Sequence, residues 1–158
     1  MNTAVYPGSF DPPTYGHLDV VKRGSQIFDT LIIAVAVNDA KQYLFSPDER
    51  RSIMTEATRD VPNVEVEIFE GMIIDFVQSK DTNVILRGIR TVSDFEYEFK
   101  MALTNREMAR DIETLFVMTD QRYSFFSSSL TKEVASLGGP VERFVPDFIA
   151  DMLREKLT

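Results

Sequence analysis

The chain has 158 residues, 44% of them hydrophobic, and a formal net charge of −8. This length favours one domain over residues 1–158, with enough apolar side chains to bury a core. The acidic balance argues against nucleic-acid or membrane-surface partners, because those polyanions select basic faces. The lack of cysteine excludes disulfides and thiolate metal sites. With no signal-like start and no long apolar run, we expect a cytoplasmic protein.

Apolar β-rich runs alternate with amphipathic runs along the first half of the chain. Ser46, Pro47 and Glu49 form a helix start, with Ser as N-cap, Pro at the first helical position and Glu closing a capping box. The pattern predicts strands over 3–6, 30–37 and 64–69, and helices over 16–28, 46–58 and 71–79.

The same alternation continues in the second half. Ser93 and Glu96 have capping-box spacing and predict the start of a long helix, and 138–140 (Gly-Gly-Pro) stops a later one. The aromatic run 95–99 is expected to lie mostly in the core. The predicted strands are 83–86 and 113–118, and the predicted helices are 93–110, 128–137 and a last one that begins at 146.

This β/α alternation predicts a single-domain α/β protein with a Rossmann-like, doubly wound fold. Its five strands would form a parallel sheet with right-handed crossovers and helices on both faces. Such sheets bind ligands beyond the carboxyl ends of their strands, at the point where the strand order reverses. The candidate functional residues are therefore those that follow each strand.

The first strand runs into a Gly-Ser-Pro turn that leads to His17, the only histidine. A strand, a small-residue loop and a helix N-terminus together form a phosphate-binding arrangement. A lone histidine at a helix start is more often a capping or packing group. Here Gly16 permits close backbone approach, and the helix dipole disfavours imidazolium. We therefore predict a neutral His17 ring that donates from one nitrogen.

Cations follow two further strands. Lys41 comes after the second strand, where a solvated loop lysine is the alternative. Arg87 and Arg90 flank Gly88 after the fourth strand, and arginine is suited to bidentate phosphate recognition. Arg90 has an alternative partner in Asp94. We favour phosphate binding for both arginines.

Three serines, Ser127, Ser128 and Ser129, open the helix after the fifth strand. Ordinary N-capping needs one serine, so three hydroxyls beside free backbone N–H groups predict an anion site. Lys132, one turn further, would add charge or be solvated. Glu98 or Tyr97 would reach a ribose hydroxyl.

These motifs together resemble the bacterial phosphopantetheine adenylyltransferases, which are nucleotidyltransferases related to class I aminoacyl-tRNA synthetases. The resemblance covers nearly the whole chain. The segment 6–17 (YPGSFDPPTYGH) is similar to the family's T/H-x-G-H motif, 85–90 (ILRGIR) and 94–98 (DFEYE) to its central motif, and 124–133 (SFFSSSLTKE) to its I-S-S-S motif. Ser9 stands where many members have Thr, and Thr104 and Tyr123 where others often have Met and Trp.

The resemblance implies transfer of the adenylyl group of ATP to 4′-phosphopantetheine, giving dephospho-coenzyme A and pyrophosphate. It implies Mg²⁺ delivered with ATP, a homo-hexamer built as a dimer of trimers, and His17 as the transition-state stabiliser. The implied ATP-binding residues are Ser9, Phe10, His17, Gly88, Ile89, Arg90, Glu98, Tyr123, Ser124, Phe125, Phe126, Ser127, Ser128 and Ser129. The implied phosphopantetheine-binding residues are Ser9, Lys41, Met72, Ile73, Arg87, Met101 and Asn105.

Three functions stay open on the residues alone. The T-x-G-H turn by itself also fits cytidylyltransferases and nicotinamide-nucleotide adenylyltransferases. A non-catalytic nucleotide-binding module of the universal-stress type would share the sheet, but would not need His17 or two acceptor-side cations. Coenzyme A contains both halves of the expected product, so we expect it to bind the same crevice as a feedback ligand.

Overall fold

The computed structural model describes residues 2–157. Strands and helices alternate along it, as predicted. The strands are β1 (Thr3–Gly8), β2 (Thr30–Val37), β3 (Val64–Glu70), β4 (Val84–Ile89) and β5 (Glu113–Met118). The helices are α1 (Tyr15–Ile27), α2 (Pro47–Ala57), α3 (Ile73–Ser79), α4 (Val92–Met108), α5 (Ser128–Ser136) and α6 (Asp147–Leu157), with a 3₁₀ turn at Gln121–Tyr123.

The five strands form one parallel sheet in the order β3-β2-β1-β4-β5, which confirms the predicted α/β fold. The chain first winds outward from β1 through β2 to β3, then returns to place β4 on the other side of β1. The order therefore reverses between β1 and β4, and a crevice opens beyond their carboxyl ends. His17 follows β1, and Arg87 lies within β4.

The core occupies both faces of the sheet, because successive strand residues point to opposite sides. Tyr6 and Leu86 pack with Val20 of α1 and Met54 of α2 on one face. Val5 and Ile85, their neighbours along β1 and β4, share the other face with residues that include Ile74 and Val77 of α3. Coverage of both faces explains why β2 is a nearly continuous apolar run.

Several predicted bounds differ from the structure by one or two residues; β1, for example, continues past Tyr6 to Gly8. Two further differences have a clear physical cause. β4 does not end at Leu86 but continues to Ile89, because Arg87, Gly88 and Ile89 stay in register with β5. The predicted N-cap of α4, Ser93, is wrong: the hydroxyl of Thr91 accepts the backbone N–H of Asp94 at 3.2 Å. Thr91 also has an acidic residue three positions later, so the sequence holds two overlapping helix-start signals.

The prediction that the aromatic run 95–99 lies mostly in the core is wrong. Phe95, Tyr97 and Phe99 are 44%, 64% and 47% exposed, while Glu98 is buried at 8%. The exposed apolar surface of α4 continues onto the edge strand β5 at Leu115 and Met118. No helix within residues 2–157 has the length and apolarity needed to cross a membrane.

Candidate active site

Two adjoining cavities open at the carboxyl edge of the sheet, with volumes of about 220 and 340 Å³. The first lies against the start of α1, β4 and the start of α5, and contains His17. The second lies between β1, β2 and α4, and contains Lys41. Five residues line both cavities and form the border between them: Pro7, Gly8, Ser9, Arg87 and Glu98.

The orientation of His17 is fixed by the helix start that it belongs to. The backbone N–H of Thr14 donates to Nδ1 of His17 at 3.0 Å, so that nitrogen carries no proton. In a neutral ring the proton then resides on Nε2, which becomes a donor. Burial, followed by the positive charges of Arg90 and Arg87, lowers the pKa of His17 to about 3. The ring is neutral as predicted, and burial is the largest cause.

The loop between β1 and α1 is shaped by Phe10. This residue has φ of +51°, in the left-handed region that bulky side chains seldom adopt. The turn places its buried ring edge-to-face with His17, at a centroid distance of 5.2 Å. A Cβ on Gly8 would lie 2.9 Å from the end of that ring. Gly8 therefore lets the loop fold back over Phe10 and brings Ser9 to the cavity border.

Arg87 and Glu98 form a two-pronged ion pair at the border. The Nε and Nη2 groups of Arg87 donate to the two carboxylate oxygens of Glu98 at 2.7 and 2.6 Å. Nη1 donates to the carbonyl of Pro7. Burial opposes the charged form of Arg87, but Glu98 outweighs it and the pKa of Arg87 is raised. The guanidinium is thus charged and rigid, with further N–H groups left for a ligand.

Arg90 closes the far side of the first cavity. Its Nε lies 3.1 Å from Oδ2 of Asp94, so the alternative ion pair considered from the sequence does form. Its Nη1 also donates to the carbonyl of Phe126, just before α5. Arg90 therefore faces the cavity from a position that two contacts hold in place, and it ties β4 to the start of α5.

The three serines at the start of α5 have different roles in the fold. Ser127 is the N-cap, since its hydroxyl accepts the N–H of Leu130 at 3.1 Å. The Ser128 hydroxyl donates to the carbonyl of Pro12 at 2.7 Å, which joins α5 to the first loop. Ser129 is exposed. Two of the three hydroxyls are thus used structurally, while Ser127 and Ser128 also line the first cavity.

Most residues expected at the site do meet there. Tyr123 lies just outside, stacked on Tyr15 at 6.2 Å, and Met72 is a half-exposed residue before α3. Of the ATP-binding set, the first cavity is lined by Ser9, Phe10, His17, Gly88, Arg90, Glu98, Phe126, Ser127 and Ser128, but not by Ile89, Tyr123, Ser124, Phe125 or Ser129. Of the phosphopantetheine-binding set, the second is lined by Ser9, Lys41, Ile73, Arg87, Met101 and Asn105, but not by Met72.

Two buried charged residues beside the site were not singled out from the sequence. Asp11 accepts the backbone N–H groups of Leu44 and Phe45 and the ammonium of Lys132, each at 2.9 Å. Arg50 is fully buried beneath the first loop. Helical spacing was the available signal for Arg50, because it shares a face with Ile53 and Met54 at i+3 and i+4. Asp11 sits in a turn and carries no such signal.

Known nucleotidyltransferases are similar to this chain in sequence. The cytidylyltransferase-like family model matches residues 5–134. A phosphopantetheine adenylyltransferase from Caldanaerobacter subterraneus subsp. tengcongensis is 51% identical over 99% of this chain and 98% of its own length. One from Clostridium botulinum is 52% identical over 99% and 96%.

Among solved structures, the nicotinic acid mononucleotide adenylyltransferase of Plasmodium falciparum, complexed with NaAD, superposes with a TM-score of 0.74. It covers 98% of this chain and 95% of its own, at 14% identity, a level that supports the shared fold alone. The sequence relatives are much closer than this, and they extend over nearly the full length of both partners. The chain therefore belongs to the phosphopantetheine adenylyltransferase family, within the cytidylyltransferase-like nucleotidyltransferases.

Proposed function

We propose that the protein transfers the adenylyl group of ATP to 4′-phosphopantetheine, forming dephospho-coenzyme A and pyrophosphate in the biosynthesis of coenzyme A. The observation that carries the proposal is the shared border of the two cavities. A cavity with a neutral histidine donor and a larger one with Lys41 meet at Ser9 and Arg87. Two ligands bound one in each cavity would bring their phosphates together at this border.

The chemistry asks little covalent participation from the protein. A phosphate oxygen of the acceptor attacks the α-phosphorus of ATP, and the bond from that phosphorus to the pyrophosphate oxygen breaks. The attacking group is already an anion, so no general base is needed. Catalysis then depends on in-line positioning and on stabilising the charge that spreads over the phosphate oxygens.

His17 suits the second task in the first cavity. Its Nε2–H is a neutral donor in a buried position, and the contact to Thr14 keeps the ring from turning. A preorganised donor of this kind strengthens its interaction as charge develops on the α-phosphate. Arg90 and the start of α5 would hold the other phosphates, and Ser9, Lys41 and Arg87 the acceptor phosphate.

Mg²⁺ would arrive with the nucleotide. Within residues 2–157, no group of three or more His, Cys, Asp or Glu side chains is placed to hold a metal ion. Phosphate oxygens are ordinary Mg²⁺ ligands, and the ion usually keeps several waters. The ion would offset phosphate charge, and the side chains of this protein would act on the phosphates themselves.

Assembly into a hexamer is a further part of the proposal. Support comes from the apolar surface of α4 and β5, where Val92 and Met118 are 78% and 79% exposed and Leu103 is 48% exposed. Exposed apolar surface of this kind marks protein contacts, and an uncovered edge strand favours association. Light scattering should give a mass of several chains. A mass near the 18.0 kDa of one chain would contradict it.

Coenzyme A would act as a feedback ligand at the same two cavities, because it carries both an adenylyl and a pantetheine part. Calorimetry should detect its binding, and no binding at millimolar coenzyme A would contradict this assignment. A cytoplasmic location is proposed on the ground that ATP is a cytoplasmic substrate.

Pyrophosphate release tests the main proposal directly. The protein is incubated with Mg²⁺ and ATP, together with 4′-phosphopantetheine, nicotinamide mononucleotide or glycerol phosphate. Of the three acceptors, we expect only 4′-phosphopantetheine to give pyrophosphate release. Release with nicotinamide mononucleotide or glycerol phosphate instead would reassign the acceptor. Nucleotide binding without release from any acceptor would favour a non-catalytic module.

A further inference from the structure

Arg50 is a buried charged residue that holds three segments of the site together. Its side chain lies beneath the first loop and is fully buried. Its Nη1 donates to the carbonyls of Ser9 and Ala36 at 2.7 and 2.8 Å, and its Nε donates to the carbonyl of Phe45 at 3.2 Å. Arg50 thus ties the first loop, at Ser9, to the end of β2 and to the segment before α2.

Asp11 holds the same segment from its other side. Its carboxylate accepts the backbone N–H groups of Leu44 and Phe45, which follow Lys41 by three and four residues. The two charged groups together therefore fix the Lys41 segment against the Ser9 loop. The two side chains expected at the acceptor phosphate are carried by segments that share these buried anchors.

The charge of Arg50 is not cancelled by an ion pair of its own. Within residues 2–157, no carboxylate forms a salt bridge with it, and its guanidinium lies over the ring of Tyr43 at 3.9 Å. Tyr43 and then Asp11 interact with it electrostatically, but the Asp11 carboxylate is already bound to Lys132. One carboxylate therefore serves two cations, and a net positive charge is left behind the Ser9 loop.

This arrangement is poor for stability alone. Burying a cation without a carboxylate partner costs free energy, and apolar residues often replace buried charges without loss. Nη2 of Arg50 and the hydroxyl of Tyr43 are also buried without a hydrogen-bond partner in the part of the chain that the structure describes. Each such group carries a desolvation cost. A ligand anion at Ser9 would interact favourably with this buried positive charge.

We propose that Arg50 is a positioning residue for the phosphate of the acceptor, acting through the Ser9 carbonyl and through its uncancelled charge. The inference rests on the proposed function, because it requires an acceptor that carries a phosphate. Arg50 itself does not touch the substrate. Its positive potential crosses a buried region, where charges interact more strongly than in water.

The test compares ligands that differ only in the phosphate. Arg50→Met, Arg50→Lys and wild type are titrated by calorimetry with 4′-phosphopantetheine and with pantetheine, and KM is measured for both substrates. Arg50→Met should lose about tenfold or more in 4′-phosphopantetheine affinity, the scale of an impaired charge-assisted contact. Pantetheine affinity and the KM for ATP should stay close to wild type. Arg50→Lys keeps the positive charge but loses the branched guanidinium donors. Its affinity for 4′-phosphopantetheine should lie between those of wild type and Arg50→Met.

Arg51→Met is the matched control. Arg51 is the next residue of α2, but it is 49% exposed and pairs with Asp48 at 3.5 Å, so its loss should change neither affinity. Equal losses for pantetheine and 4′-phosphopantetheine would show a general structural role and overturn the inference. If Arg50→Met does not fold, the same comparison is made with Arg50→Lys. Wild type that releases no pyrophosphate with 4′-phosphopantetheine would overturn the proposed function instead.

Discussion

The two cavities differ in how they carry positive charge. In the first, Arg90 is paired with Asp94, and at the border Arg87 is paired with Glu98. In the second, Lys41 is exposed and forms no ion pair within residues 2–157, and the uncancelled Arg50 lies behind the loop that both cavities share. The first cavity thus offers rigid donors of little net charge, while the acceptor side offers net charge.

This difference matches what each proposed ligand would bring. ATP would arrive with Mg²⁺, which would offset part of its phosphate charge, so the nucleotide side would need placed donors more than extra cations. The acceptor phosphate arrives without a metal and needs cations from the protein. Pairing also keeps arginines fixed, whereas an unpaired lysine is a mobile point charge. The first cavity should therefore govern turnover, and the second should govern acceptor binding.

Removing the donor of the first cavity should have the largest effect. His17→Ala should lower kcat by about 10²-fold or more, the scale seen when one preorganised transition-state donor is lost. KM for ATP should change far less, because the donor acts mainly on developing charge. Steady-state kinetics measure both quantities, and a thermal melt checks the fold. Near-normal turnover of the variant would show that His17 has no catalytic role. If the variant is unfolded, His17 has a structural role instead.

Removing the free cation of the second cavity should affect binding instead. Lys41→Ala should raise KM for 4′-phosphopantetheine by about tenfold or more, since a charge-assisted phosphate contact contributes roughly 1.5–3 kcal/mol. KM for ATP should hardly change. Lys22→Ala is the control, because Lys22 is an exposed lysine on the outer side of α1. Equal effects on both substrates would erase the distinction between the cavities.

The parts of the fold that were predictable are those that local sequence specifies. β2 and β5 have the predicted bounds, and the capping box of α2 forms with both reciprocal bonds, Glu49 N–H to the Ser46 hydroxyl at 3.1 Å and Ser46 N–H to the Glu49 carboxylate at 3.2 Å. The pattern of apolar residues is enough to predict the two strands, and a capping interaction between residues three apart is enough to predict the start of α2. The end of β4 was not predictable, because Arg87 and Gly88 join the strand only through pairing with β5.

The same distinction applies to the site. Sequence placed His17 and Lys41 at strand ends, and the parallel sheet brings both to the crevice. It missed Asp11 and Arg50, whose partners are backbone groups up to 34 and 41 residues away along the chain. The exposure of Phe95 and Phe99 was missed as well, because apolar spacing does not tell a buried helix face from an exposed apolar one.

Weakening a paired arginine should matter less than either change above. Asp94→Asn removes the ion pair of Arg90 but leaves its contact to the Phe126 carbonyl. Because both side chains are partly exposed, the pair contributes no more than about 1 kcal/mol, so KM for ATP should change by less than about fivefold. Kinetics at saturating acceptor measure this. A loss as large as that of His17→Ala would mean that pairing itself organises the nucleotide cavity.

The smallest effect is the pH dependence that a buried neutral histidine adds to stability. The pKa of His17 is lowered to about 3 in the folded protein, against 6.5 in the unfolded chain. Between these values the unfolded chain binds a proton that the folded protein does not, so the free energy of unfolding falls as pH decreases below about 6.5. From pH 7 to pH 6 this contributes a loss of about 0.7 kcal/mol, which His17→Ala should lack.

Denaturant unfolding of both proteins at pH 7 and pH 6, without ligands and at equal protein concentration, gives the difference. Because the chain has one histidine, NMR of the ring nitrogens reads the same group without ambiguity. It should show the proton on Nε2 and no titration between pH 5 and pH 8. A ring that titrates near 6.5, with matching stability slopes in the two proteins, would mean that water reaches His17. The neutral, preorganised donor that distinguishes the first cavity from the second would then be lost.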